Sequence, residues 1–86
     1  MIITADHVYA FAVRPFIDGK ELSTCFHINT DDGVAMVYDG FDLLIKDMKT
    51  KMLYGTATFK LSRGENIQEP FFTELTTDKG FAGFID

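Results

Sequence analysis

Apolar and polar positions alternate with a period of two along several stretches of this chain, and Asp-Gly turns punctuate them. Asp18-Gly19, Asp31-Asp32-Gly33, Asp39-Gly40 and Arg63-Gly64-Glu65-Asn66 set the frame. Asp-Gly between apolar runs is the strongest short-range hairpin signal, because glycine accepts the positive φ that tight turns demand. With Asp18-Gly19 as a two-residue loop, the register sets Pro15 opposite Leu22, Phe11 opposite Phe26 and Tyr9 opposite Ile28. Alternation then gathers Tyr9, Phe11, Val13, Leu22, Thr24, Phe26 and Ile28 on one face. The other face receives Val8, Ala10, Ala12, Arg14, Ser23, Cys25, His27 and Asn29. A one-residue slip would scatter the aromatics. A third strand over Val34–Tyr38 adds Ala35 and Val37 to the Phe-rich face and Val34, Met36 and Tyr38 to the other.

The segment after Asp39 has two readings. As a strand, Phe41, Leu43 and Ile45 alternate, but Leu44 falls on the wrong side. As a helix, Phe41, Leu44, Ile45, Met48 and Met52 form a narrow apolar stripe. Asp39 suits the N-cap, Asp42 the first turn, and Lys49 and Lys51 the last. Asp42–Lys46 and Asp47–Lys51 are i, i+4 pairs in the favourable order. The favoured expectation is a helix over Gly40–Lys51. From Leu53 to Ser62 alternation is clean, with Leu53, Gly55, Ala57, Phe59 and Leu61 on one face of a half-buried strand. Phe71–Thr77 reads as a last strand, and its glycines leave the conformation of Phe81–Asp86 open.

The expected architecture is α+β: an antiparallel sheet of four to five strands with one helix packed on a face, in the order β-β-β-α-β-β. A helix of about 12 residues, roughly 18 Å long by its rise, cannot cover both faces of such a sheet. Val8, Ala10, Ala12, Cys25, Met36 and Tyr38 would remain on the less aromatic face. The tail, curling of the sheet or a second chain must cover them, so a homodimer through that face is one expectation.

Composition bounds the class. With 86 residues, 47% apolar including nine Phe and three Tyr, the chain suits one compact domain spanning 1–86 without a linker. A single cysteine excludes an intrachain disulfide and suits a reducing compartment. The start MIITADHVYA has no signal-peptide pattern, and no apolar run reaches the roughly 18 residues of a membrane span. A cytoplasmic protein without membrane association is the expectation. Charge is uneven: residues 46–63 carry five bases against Asp47, a net +4, within a chain of net −5. Such a band shapes a field that steers partners.

Candidate chemistry is sparse. Cys25 and His27 share a strand face in the expected register, some 7 Å apart, too far for a thiolate–imidazole hydrogen bond. His7 points the other way, so a zinc cluster lacks ligands. The aspartates are turn formers, TDDG lacks the remaining ligands of a calcium loop, and no glycine-rich phosphate loop occurs. No catalytic residue, metal or cofactor is expected. Lys46, Lys49, Lys60 and Arg63 form the candidate nucleic-acid surface, which the acidic flanks oppose. The favoured candidates lie elsewhere: Glu65, Glu69, Phe72, Glu74, Asp78 and Phe84 set apolar anchors in an acidic rim, and Leu43 stands alone opposite the core stripe. The expected function is a small acidic, non-enzymatic protein-interaction domain. In that reading it is an inhibitor occupying a basic surface on a nucleic-acid-processing target, of the anti-defence or toxin-immunity kind. A nucleic-acid-binding module and a homo-oligomeric structural protein are the alternatives.

Overall fold

The computed structural model describes residues 1–62 and 67–85, and the fold is α+β. Among these residues eight strands form two four-stranded sheets, and one α-helix packs against the second. The strands are β1 (Ile2–Thr4), β2 (Val13–Ile17), β3 (Lys20–Glu21), β4 (Cys25–Asn29), β5 (Val34–Asp42), β6 (Asp47–Tyr54), β7 (Ala57–Ser62) and β8 (Phe81–Ile85). The helix, α1, is Phe71–Thr77. One sheet runs β1-β4-β5-β6 and is antiparallel throughout; the other runs β3-β2-β7-β8, with β7 and β8 parallel.

The Asp18-Gly19 turn forms as expected, pairing Ile17 with Lys20 and Phe16 with Glu21. The Leu22 amide still donates to the Pro15 carbonyl, at 3.0 Å. The expected pairings of Phe11 with Phe26 and Tyr9 with Ile28 do not form. Beyond Leu22 the chain leaves one sheet for the other, and β4 pairs Ile28 with Ile3 and with Ala35. Residues 10–12 close instead into a 3-10 turn. A bulge at Phe26 also turns Cys25 towards the face of Val37, while His27 lies opposite Met36. Cys25 and His27 therefore occupy opposite faces rather than one.

Two further expectations are corrected. Gly40–Lys51 is not a helix but the distal half of the β5–β6 hairpin. Gly40 at φ +86° and Lys46 at φ +55° interrupt any right-handed helix between them. Phe71–Thr77 is the helix rather than a strand. The parallel pairing of β7 with β8 demands a long crossover, which a helix spans compactly. The helix also resolves the adjacent Phe71 and Phe72, which one strand face could not hide together. Phe71 meets the Tyr9 ring edge-on at 5.7 Å, and Phe72 stacks on Phe84 at 6.0 Å. Thr76 and Thr77 donate their hydroxyls to the carbonyls of Phe72 and Thr73, which accommodates threonine in a helix. The run Leu53–Ser62 is likewise split. Gly55 breaks it where its amide donates to the Gly33 carbonyl at 3.0 Å. A Cβ at Gly33 would collide with the Gly55 carbonyl, so this crossing between turns needs glycine.

One hydrophobic cluster draws on both sheets and the helix: Ile3, Tyr9, Ile17, Ile28, Ala35, Ala57, Phe59, Leu61 and Leu75. Phe59, Leu61 and Leu75 are fully buried. The N-terminal ammonium ties the start of the chain to the β4–β5 turn through Asp31 at 2.6 Å and to the loop after α1 through Asp78 at 3.3 Å. No helix among the described residues is long and apolar enough to cross a membrane.

Candidate docking arm

β5 is the longest strand, nine residues, about 30 Å by its rise. Its distal part and β6 form an arm in a molecule measuring 45 × 25 × 21 Å. Near the body, Val34 pairs with Tyr54, Ala35 with Leu53, Met36 with Met52, Val37 with Lys51 and Tyr38 with Thr50. Ala35 is buried in the core, so the odd-numbered positions face inward and Val34, Met36, Tyr38, Thr50, Met52 and Tyr54 face outward.

A bulge after Tyr38 changes the pairing by one residue. Phe41 then pairs with Met48, and Asp42 with Asp47. Without the extra residue Phe41 would fall on the inward side; with it, Phe41 joins Tyr38, Met48 and Met52 on the outer face. Gly40 supplies the left-handed backbone this requires, and open space surrounds it. The opposite side of the arm carries Asp42, Asp47, Lys49 and Lys51. The arm is thus amphipathic: charge replaces core residues on the inward side, while the apolar outer face of the root continues to the tip.

The tip is Leu43-Leu44-Ile45-Lys46. The Asp42 carboxylate accepts the Leu44 amide at 2.9 Å, forming an Asx turn that holds the loop open. Leu43, Leu44 and Ile45 are 81%, 94% and 66% exposed. Phe41, Met48, Met52 and Tyr54 are also exposed. Isolated exposed leucines are ordinary, but three at a tip continuous with an apolar face form a patch.

The sequence-selected residues are not brought together. Leu43 is at the tip, with Lys46 beside it and Lys49 on β6. Lys60 lies on the other sheet, 5.3 Å from the centre of the Phe16 ring. The positive band is thereby divided between two sheets. Arg63 and Glu65 lie outside the described residues. Phe72 and Phe84 stack on each other. Asp78 accepts hydrogen bonds from Thr30 and from the Gly80 amide, at 2.9 and 2.7 Å, besides holding the N-terminus. Glu69 accepts the Thr73 hydroxyl. Glu74 is exposed in the first turn of α1. Sequence reasoning missed the paired face of Tyr38, Phe41, Met48, Met52 and Tyr54. Its signal was present in the alternation of Met48, Thr50, Met52 and Tyr54 with Lys49, Lys51 and Leu53.

Titratable chemistry is subdued. Burial pushes the Cys25 thiol up, against hydrogen bonds with the backbone of His27 and Met36, so it stays protonated. Its Sγ donates to the His27 carbonyl at 3.1 Å. No group of three His, Cys, Asp or Glu among the described residues is arranged to hold a metal ion. A small cavity of about 50 Å³ between the sheets is lined by Ile3, Val13, Pro15, Cys25, Phe26 and Ile28 among others. A larger groove of about 450 Å³ lies at the root of the arm, between Ile17 and Leu22 on one side and Leu53 and Tyr54 on the other. Compared with protein-family models, curated proteins and solved structures, the chain matches none.

Proposed function

We propose that this chain is a non-enzymatic protein-interaction domain that works by occupying a surface of another protein with its β5–β6 arm. The observation that carries this reading is the apolar outer face of the arm and its tip, exposed to solvent. Burying apolar area contributes roughly 25 cal/mol per Å², and the outer face and tip leave such area in water. A partner that covers Phe41, Leu43, Leu44, Ile45, Met48 and Met52 recovers it. Methionines on such a face adapt to irregular partner surfaces. An inhibitory role, by steric occupation of a site on the target, follows from this mode of binding. The exposed acids on other surfaces would then favour approach to a basic target.

The test compares the wild-type chain with the Leu43→Asp/Leu44→Asp variant as baits in extracts of the native host. A protein captured by the wild type and lost with the variant supports the reading. Capture that is indifferent to the tip overturns it.

A further inference from the structure

The outer edge of β6 is free of any strand among the described residues, since the sheet order ends there. β6 is eight residues long and exposed along nearly its whole length. Alternate N–H and C=O groups of an edge strand point away from its neighbour and can pair with an added strand. Its side chains write a pattern for that strand. Met48, Thr50 and Met52 face outward, while Lys49 and Lys51 project from the opposite side. Neither lysine is in an ion pair among the described residues. Asp47 precedes them on the same face and meets Asp42 across the hairpin, so the positive charge is confined to the Lys49–Lys51 stretch of β6.

We infer that β6 is the recognition edge: an extended segment of the partner, alternating apolar and acidic side chains, adds there as a fifth strand. The inference rests on the arm as the binding element and specifies the chemistry of the one partner segment that meets β6, within a target whose wider surface is basic. Residues directly opposite on adjacent strands share a face, and opposite charges there attract. Acids placed opposite Lys49 and Lys51 meet both lysines. Apolar residues opposite Met48, Thr50 and Met52 extend the outer face and cover its margin. Strand addition supplies main-chain affinity, with specificity in the alternating side chains.

The same lysines argue against a second copy at this edge. Antiparallel pairing of β6 with β6 about a two-fold axis, apolar faces together, has two central registers, which overlap the most residues. They set Lys49 against Lys51 or Lys51 against Lys51. Like charges directly opposite destabilise a pair of strands. Lysine on an edge is a known device against self-pairing, and here it selects for an acidic segment by the same electrostatics.

The test uses the full chain and two capped peptides, Thr-Val-Glu-Val-Glu-Val-Thr and its counterpart with lysine for glutamate, titrated at low salt by NMR. The glutamate peptide is expected to bind roughly tenfold more tightly, from two cross-strand pairs changing sign. Its shifts should concentrate on the amides of β6, and N-methylation of its backbone at alternate residues should abolish them. Lys49→Glu/Lys51→Glu should reverse the preference, a gain of binding that misfolding cannot mimic. Equal affinity for both peptides, shifts away from β6, or no binding at millimolar peptide would overturn strand addition. If strand addition fails while a host protein is still captured through Leu43 and Leu44, the arm reading survives. If tip substitutions also leave capture unchanged, both fall.

Discussion

The root and the distal part of the β5–β6 hairpin share a backbone but follow opposite rules. At the root, Ala35 and Leu53 turn inward and Ala35 is buried against Ile28 and the second sheet. Farther out the inward side carries Asp42, Asp47 and Lys49, and Phe41 and Met48 face outward. The root is stabilised by burial within the chain, whereas the arm leaves its apolar groups to solvent. Elements that bind are commonly drawn from regions with few buried contacts, so stability and binding can be separated along one hairpin.

The largest effect is expected from Phe59→Ala in the core. It should cost about 3–5 kcal/mol in urea denaturation, lowering binding only through the folded fraction. A loss below about 1 kcal/mol would mean the core is not where burial places it. Gly40→Ala should cost about 1 kcal/mol, because its φ of +86° is left-handed although space is open. Its effect on partner affinity should exceed its effect on stability, since the bulge decides where Phe41 points. Equal effects would remove the bulge from recognition.

Leu43→Asp/Leu44→Asp should change stability by no more than about 0.5 kcal/mol while abolishing capture of the partner. A cooperative loss of fold would show that the tip supports the body after all.

The smallest effect concerns pH. The hydrogen bond from the N-terminal ammonium, with that from Lys79, holds the Asp31 carboxyl below the usual carboxylate range. A depressed folded pKa contributes stability above the ordinary value, about 4, and that contribution disappears as pH falls through the folded value. Partial burial opposes the charge on the Met1 ammonium, but its bonds to Asp31 and Asp78 outweigh this and raise it. That contribution is present below about pH 8 and fades as pH rises through the raised value. The stability difference between wild type and Asp31→Asn should therefore shrink at both extremes. A difference that is flat between pH 2 and 10 would contradict the pairing.

Local signals read well where local forces decide. The Asp18-Gly19 hairpin, the alternation of Ala57, Phe59 and Leu61, and the α+β class all follow from turn chemistry and period two. Leu43 was recognisable as an unpaired apolar residue on the helical reading of its segment, and Leu44 on the strand reading. The helix at Gly40–Lys51 failed because Phe41, Leu44, Ile45, Met48 and Met52 satisfy a helical stripe as well as they satisfy a bulged hairpin. Single-residue periodicity cannot detect a bulge, which depends on the partner strand.

The Asp18-Gly19 and Asp31-Asp32-Gly33 turns, the amphipathic strands, much of the core and the uneven charge could be read from the chain alone, because each depends on residues within a few positions of one another. Asp39-Gly40, expected as a turn, instead lies inside β5 at its bulge. Only tertiary structure decided that the chain changes sheets after Leu22, that Phe71–Thr77 is a helix, and that the lysines of β6 line a free edge. Those outcomes depend on long-range pairing: β1 captures β4, the parallel crossover to β8 requires α1, and among the described residues no strand follows β6 at the edge of its sheet. Such contacts join residues far apart in sequence, where burial and register outweigh local preference.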